Sequence, residues 1–152
     1  MNALAAGGAG FLLAVLWFDL MFDVQVRRTR EGTLSASILD SIATYYRRVT
    51  TDASPMGRLV SLMMLLTTTA IATQIVEGGR LVWLQWCSLA LALSAFALVG
   101  ARTFRFAARL GSAVDDSEVL TRLARVVYRD HLYCLCAMTV VFTLQVLQSF
   151  VE

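Results

Sequence analysis

The chain has 152 residues, of which 58% are hydrophobic and only 16% charged, with a formal net charge of +2. Soluble domains run nearer half apolar and a quarter charged, so this composition excludes an ordinary soluble globule and points to a membrane protein. All thirteen basic residues are arginine, and they flank apolar runs instead of forming a soluble basic face, which argues against nucleic acid as a partner.

Four apolar runs, about 3–24, 56–76, 81–100 and 132–151, are long enough to cross a hydrocarbon core of ~30 Å as helices. The expected fold is therefore all-α, a four-helix transmembrane bundle forming a single integral membrane domain over 1–152. The first run has no basic residue before it and exceeds the apolar core of a signal peptide, so it reads as a retained helix. Within it Ala6, Gly10 and Ala14 share one face, and small residues at that spacing let helices pack closely, within the bundle or between subunits.

Asp19 and Asp23 sit one helical turn apart at the end of this run, and Arg27 continues the same stripe. An ionised carboxylate facing lipid at the depth of Asp19 would cost at least a few kcal/mol, so Asp19 is expected to face protein or water, or to be protonated. Asp23 lies closer to the boundary and is expected nearer water. The arginines fix an orientation. Arg27, Arg28, Arg30, Arg47 and Arg48 lie between the first two spans, with Arg58 at the start of the second, and Arg102, Arg105, Arg109, Arg122, Arg125 and Arg129 lie between the last two. Only Arg80 lies in the remaining turn. The positive-inside rule then puts both long loops in the cytoplasm and both termini on the periplasmic side. Arginine-only basicity suits a GC-rich bacterial genome and hence an inner membrane.

In the first loop, Ile38, Ile42, Tyr45 and Val49 form one apolar helical stripe, which predicts an amphipathic helix over about 36–50 with Ser35 or Ser37 at its start. Tyr45, Tyr46, Arg47 and Arg48 suit a helix lying in the headgroup layer; alternatively the segment tucks under the bundle and closes its mouth. Ser54 as cap and Pro55 at the first helical position open the second span. The turn "EGGR" at 77–80 forces the second and third spans into a hairpin, and Trp83 and Trp86 beyond it suit an aromatic belt. The third span continues past Arg102, Arg105 and Arg109 until Gly111 offers a C-cap. Asp115 with Glu118 resembles a capping box that starts one long rod from about Ser117 to Phe150.

His131 is the only histidine and falls at the level of Asp19, Asp23, Arg58 and Asp130. Asp19 and His131 are the candidate catalytic residues. The structural alternative is an ion-paired collar of Asp23, Arg27, Arg58, Arg129 and Asp130 that fixes helix register. A mixed metal site from Asp19, Asp23, His131 and Cys134 is a weak further candidate. Cys87, Cys134 and Cys136 read as free, buried, small apolar residues. The outer polar residues, Thr67, Thr68, Thr69, Thr73, Gln74, Gln85, Thr143, Gln145 and Gln148, read as backbone and interhelical hydrogen-bonders, the glutamines near water. No nucleotide loop, zinc motif or paired-cysteine motif occurs.

In its order of one span, a long basic loop with an embedded amphipathic helix, a tight hairpin, a second basic loop and a final span, the chain resembles small bacterial anthrone-oxygenase-like membrane proteins. The resemblance is one of topology over the whole chain and carries no residues across. Three function classes follow from the residues themselves. The first is a non-catalytic accessory or assembly subunit of a larger membrane complex, with the bilayer and other membrane proteins, or a second copy, as partners. The second is a membrane enzyme or redox protein acting on a lipid-soluble substrate of quinone or polyketide type. The third is an oligomeric transporter or channel. No cofactor can be named from the sequence.

Overall fold

A computed structural model describes residues 1–29, 31–52, 54–78 and 81–151, the side chains of Ser54 and Val151 excepted. Arg30, Arg80 and the expected Ser54 cap therefore lie outside the described residues. Among the described residues the chain is helical throughout, with no strands. Helix α1 covers Asn2–Asp23 and runs into a 3-10 turn at Val24–Arg28. Helix α2 covers Ala36–Arg47 and passes through a π turn, Arg48–Asp52, toward α3 at Ser54–Glu77. Helix α4, Val82–Leu98, continues through a second π turn, Val99–Thr103, into α5, Phe104–Ser112. Helix α6 is one rod of 35 residues, Ser117–Val151.

Four of these helical stretches are long and apolar enough to cross a membrane: Asn2–Arg28, Pro55–Glu77, Val82–Ser112 and Ser117–Phe150. The chain is accordingly a multi-pass helical bundle of membrane type. The spanning helices close a ring in which α1 packs on α3 and α6, and α4 on α3 and α6. At roughly 50 Å, α6 is much longer than a hydrocarbon core is thick, so its first half stands outside the bundle. There it supports α2 and α5.

Two cores result. The first lies between the spanning helices and is built from Ala5, Ala9, Leu12, Leu16, Ala70, Ile71, Ala92, Ala95, Cys134, Ala137, Met138 and Val141. Alanine dominates because close helix approach, not side-chain bulk, is what favours packing between helices in lipid. Large residues point outward instead: Trp17, Phe18, Met21, Leu62, Leu65, Trp83, Trp86 and Leu147 are all exposed. Gly8 lets α1 pack directly on α3, since an added Cβ there would meet the Thr67 side chain. The buried stripe of α1 is thus Ala5, Gly8, Ala9, Leu12 and Leu16. The expected face of Ala6, Gly10 and Ala14 is offset from it: Ala6 and Gly10 are half-buried, Gly10 against Phe142, and Ala14 is exposed.

The second core forms a headpiece, in which Val26, Leu34, Leu39, Ile42, Tyr46, Ala107, Leu110, Leu120, Leu123, Ala124 and Val127 are buried together. Helix α2 is therefore seated on α5 and α6, its buried stripe being Leu39, Ile42, Ala43 and Tyr46. Leu34 N–H donates to Thr121 Oγ1 at 3.0 Å, and Arg125 donates to the Thr29 and Gly32 carbonyls at 3.2 and 2.8 Å, pinning the preceding loop to α6.

Three terminal features differ from the sequence reading. Ala113, not Gly111, adopts the left-handed conformation that ends α5, with φ 51°. Gly111 serves a different purpose, since a Cβ there would lie 2.6 Å from Arg47 N and 2.9 Å from the Tyr46 carbonyl carbon. Asp116, not Asp115, caps α6 by accepting from Val119 N–H at 2.8 Å. Asp115 instead pairs with Arg109 at 2.6 Å, whose hydrogen bonds hold its carboxyl below the usual range. The cysteines are free, but only Cys134 is buried; Cys87 and Cys136 are exposed.

Gly111→Ala should push α2 off α5, because the clash is with backbone that cannot rotate away. A loss of about 1–3 kcal/mol is expected, lowering the thermal midpoint in detergent by roughly 3 to 10 °C. An unchanged midpoint would mean that α2 does not sit on α5 at this distance.

Candidate functional site

The site lies at the seam between the two cores, where α1, α2 and α6 meet. Asp23 is the last residue of α1, and its side chain is 1% exposed. His131 on α6 approaches it with Nδ1 at 2.6 Å from Asp23 Oδ2. An ionised carboxylate only accepts, so Nδ1 carries the proton and donates it to Asp23. Tyr46 on α2 donates its hydroxyl to the other carboxylate oxygen, Oδ1, at 2.7 Å, and its oxygen is also 3.4 Å from His131 Nδ1. Both oxygens of a fully buried carboxylate are thereby satisfied, as burial of a charge requires.

Asp19, one turn earlier on α1, accepts the Tyr45 hydroxyl at 2.6 Å on Oδ1. Its Oδ2 lies 4.0 Å from His131 Nε2, too far for a direct hydrogen bond. An oxygen atom ~2.8 Å from each would span that gap. Tyr45 is held for this contact by stacking on Phe22, with ring centroids 4.1 Å apart and 11° between planes. Burial first, and then the neighbouring carboxylates, raise the Tyr45 and Tyr46 phenols above their ordinary pKa, so both remain donors.

His131 and Asp19 also line a cavity of about 90 Å³ among the spanning helices, otherwise lined mainly by apolar side chains including Leu12, Leu16, Met64, Phe96 and Met138. At ~30 Å³ per water the volume takes about three waters or the oxygen-bearing tip of an apolar compound. The arrangement can therefore hold a proton at Nε2, stabilise the resulting imidazolium with two carboxylates, and exchange that proton with an oxygen in the cavity.

A second cluster adjoins the first. Asp130, next to His131, is 2% exposed and receives Arg102 through Nε at 3.0 Å and Nη2 at 2.5 Å. Thr103 Oγ1 donates to the same carboxylate at 2.9 Å. Both partners come from the π turn between α4 and α5. Adjacent residues of α6 thus bind different neighbours, Asp130 the α4–α5 junction and His131 the α1–α2 junction.

These positions revise the expected collar. Asp23 and Asp130 are at the seam, but Arg27, Arg58 and Arg129 are exposed and form no ion pair among the described residues. Arg102 is the cation that engages, and its helical spacing with Arg105 and Arg109 does not single it out, because it lies in the π turn. Asp23, expected near water, is more buried than Asp19, whose side chain is 16% exposed. Tyr45 and Tyr46, expected in the headgroup layer, turn inward, and Arg47 donates to the Gly111 carbonyl at 3.1 Å; Arg48 stays exposed. Cys134 directs its sulfur to the Ala95 carbonyl at 3.9 Å. Among the described residues no cluster of three His, Cys, Asp or Glu side chains is placed to hold a metal ion, so the mixed set of Asp19, Asp23, His131 and Cys134 does not assemble.

The opposite end of the bundle also holds buried polar side chains, although the glutamines were expected near water. Gln74 Nε2 donates to Gln145 Oε1 at 2.8 Å, the interhelical bond that the sequence predicts in kind. Thr67, Thr68, Thr73 and Thr143 return their hydroxyls to carbonyls one turn back. Gln85 Oε1, Ser88 Oγ and both polar atoms of the Gln148 side chain have no partner among the described residues.

The fold and its seam define a multi-pass helical membrane protein with a buried histidine–carboxylate centre. No protein-family model, curated protein or solved structure matches the chain.

Because Asp23 is the fully buried acid and satisfies both Tyr46 and His131, Asp23→Asn should destabilise the bundle by about 3–5 kcal/mol. Asp19→Asn should cost less than half of that. Thermal unfolding of both variants in detergent checks the order, and an equal or inverted order would contradict the geometry.

Proposed function

We propose that this chain is a membrane protein that binds a lipid-soluble compound of quinone or polyketide type through a hydroxyl or carbonyl oxygen and exchanges a proton with it at His131. The observation that carries this reading is the free Nε2 of His131, fixed through Nδ1 by Asp23 and turned toward Asp19 and an apolar cavity. Ionisable groups within spanning helices are functional candidates by default, because each is expensive to keep there. In the reaction the O–H bond of the bound compound breaks and Nε2–H forms. Asp23 and Asp19 stabilise the resulting cation, and the anionic oxygen stays within reach of it. Asp19 offsets the imidazolium charge from the Nε2 side, Tyr45 holds Asp19, and Tyr46 holds Asp23.

A second reading, a non-catalytic subunit of a larger membrane complex, draws on Ala6, Gly10 and Ala14. Gly10 already meets Phe142 and Ala6 is half-buried, so the surface left for another helix, from a partner or a second copy, centres on the exposed Ala14. For location we propose a bacterial inner membrane with both termini periplasmic, on the arginine distribution alone.

Two measurements test these readings. Titration of the purified chain with a decyl-substituted benzoquinol should give saturable binding that His131→Gln weakens by at least about tenfold while the fold is retained. Absence of binding to the unaltered chain, or unchanged binding to a folded His131→Gln variant, would remove the proton-handling role. Separately, a cysteine placed at Asp40 in a background lacking the three natural cysteines should react with an impermeant maleimide only after the inner membrane is opened. Labelling in intact spheroplasts would reverse the orientation.

A further inference from the structure

A second cavity, of about 740 Å³, opens on the surface of the headpiece between the end of α1 and the first half of α6. Arg27 contributes from the 3-10 turn after α1, and Arg122, Arg125 and Arg129 from α6. Their positions on α6, three and then four residues apart, place the three guanidinium groups along one helical face. Among the described residues only one carboxylate, Glu118, lines the groove, and it meets Arg122 at 3.8 Å with both side chains mostly exposed. Such a pair neutralises little.

Arg125 is committed to the Thr29 and Gly32 carbonyls and forms part of the wall. Arg27 and Arg129 are exposed and have no carboxylate partner among the described residues. They are not interchangeable with the exposed Arg48 or Arg58, which lie outside the groove. Val26, Val126 and Tyr128 add apolar and aromatic surface beside the charges.

Depth along the helices selects the ligand. Arg27 lies four residues beyond the end of α1, and Arg129 precedes Leu132, where the apolar run of α6 begins, by three. Both charges therefore stand at the level where apolar helix gives way to polar headpiece, which in a bilayer is the headgroup layer. We propose that this groove is a binding site for the phosphate of an anionic phospholipid, with Arg27 and Arg129 gripping the phosphodiester oxygens, Arg122 at the rim, and the partly exposed Val126 and Tyr128 against the start of the acyl chains. Arginine suits the role because its planar fork offers paired donors to phosphate oxygens.

The test uses the full-length chain, delipidated in a neutral detergent and titrated with phosphatidylglycerol or phosphatidylcholine, with bound lipid read by native mass spectrometry. The unaltered chain should retain phosphatidylglycerol about tenfold better than phosphatidylcholine. Arg27→Gln/Arg129→Gln should abolish that preference, whereas Arg48→Gln/Arg58→Gln, with the same loss of charge, should keep it. Equal loss in both double variants would reduce the effect to bulk charge and overturn the site. Competition by soluble glycerol phosphate at concentrations matching the lipid would overturn the lipid assignment in favour of free phosphate. Should the first double variant fail to fold, Arg122→Gln alone, altering a side chain 70% exposed, should weaken phosphatidylglycerol binding roughly fivefold; no change would count against the groove.

Discussion

The buried carboxylate of Asp23, bonded to His131 on α6 and to Tyr46 on α2, joins the spanning bundle to the headpiece. A carboxylate at 1% exposure loses its hydration, and in a low-dielectric interior that loss is tolerable only if charged or strongly polar partners replace the water. Asp23 obtains one partner from α6 and one from α2. Satisfying the acid therefore requires α1, α2 and α6 to meet at one point. Asp130 imposes the same demand one residue earlier on α6, and there the partners come from the junction of α4 and α5. Two adjacent buried ionisable residues on a single rod thus determine where every headpiece helix sits.

This explains which parts of the molecule were legible in the sequence. The spanning helices were, because each is a run of apolar residues whose length alone matches a bilayer, and α6 was read as one rod because no breaker interrupts it after Asp116. The α2 helix was legible as an amphipathic segment from Ile38, Ile42, Tyr45 and Val49, but the stripe could not say whether lipid or protein covers it. Tyr46 answers that by donating to Asp23, and a hydroxyl buried against a carboxylate 23 positions away leaves no periodic trace. Sequence position gives depth along a helix with fair accuracy and azimuth with little. Asp19 and Asp23 were placed at the right end of α1, yet their relative burial was inverted because burial is set by the residues that α2 lays over them. Arg102 was overlooked as a partner for a related reason. A π turn carries an extra residue and rotates the helix beyond it, so the helical spacing of Arg102, Arg105 and Arg109 does not predict which of them meets Asp130.

Small residues inside and large ones outside are the other general constraint. A soluble core fills its interior with leucine and phenylalanine, since burial of apolar area drives its packing. Lipid removes that advantage, because a leucine is equally at ease among acyl chains, and close contact between backbones becomes the favourable term. Ala5, Ala9, Ala70, Ala92, Ala95 and Ala137 at the centre and Trp17, Phe18, Leu62 and Leu65 at the periphery are the direct result. Where the interior widens enough to leave a cavity, it does so beside His131 and Asp19, so the free imidazole nitrogen has apolar space in front of it and not packed side chain.

The two ends of the bundle bury polarity by different means, and the difference is electrostatic. Near the α3–α4 end the buried groups are neutral amides and hydroxyls, whose burial costs far less than that of a charge; Gln74 bonds to Gln145, while Gln85 Oε1, Ser88 Oγ and the Gln148 amide have no partner among the described residues. At the headpiece end they are ionisable, and each needs a partner able to carry charge or donate strongly. Such groups are tolerated there because residues 122–131 of α6 present two faces at once. One face carries Arg122, Arg125 and Arg129 toward the groove; the other carries Asp130 and His131 into the seam. The arginines remain toward the surface, where water hydrates them, while Asp130 and His131 are drawn inside, each against its own partner of opposite character. Both sets are thus carried by one continuous helix, Ser117–Val151, which fixes the spacing between the groove and the seam.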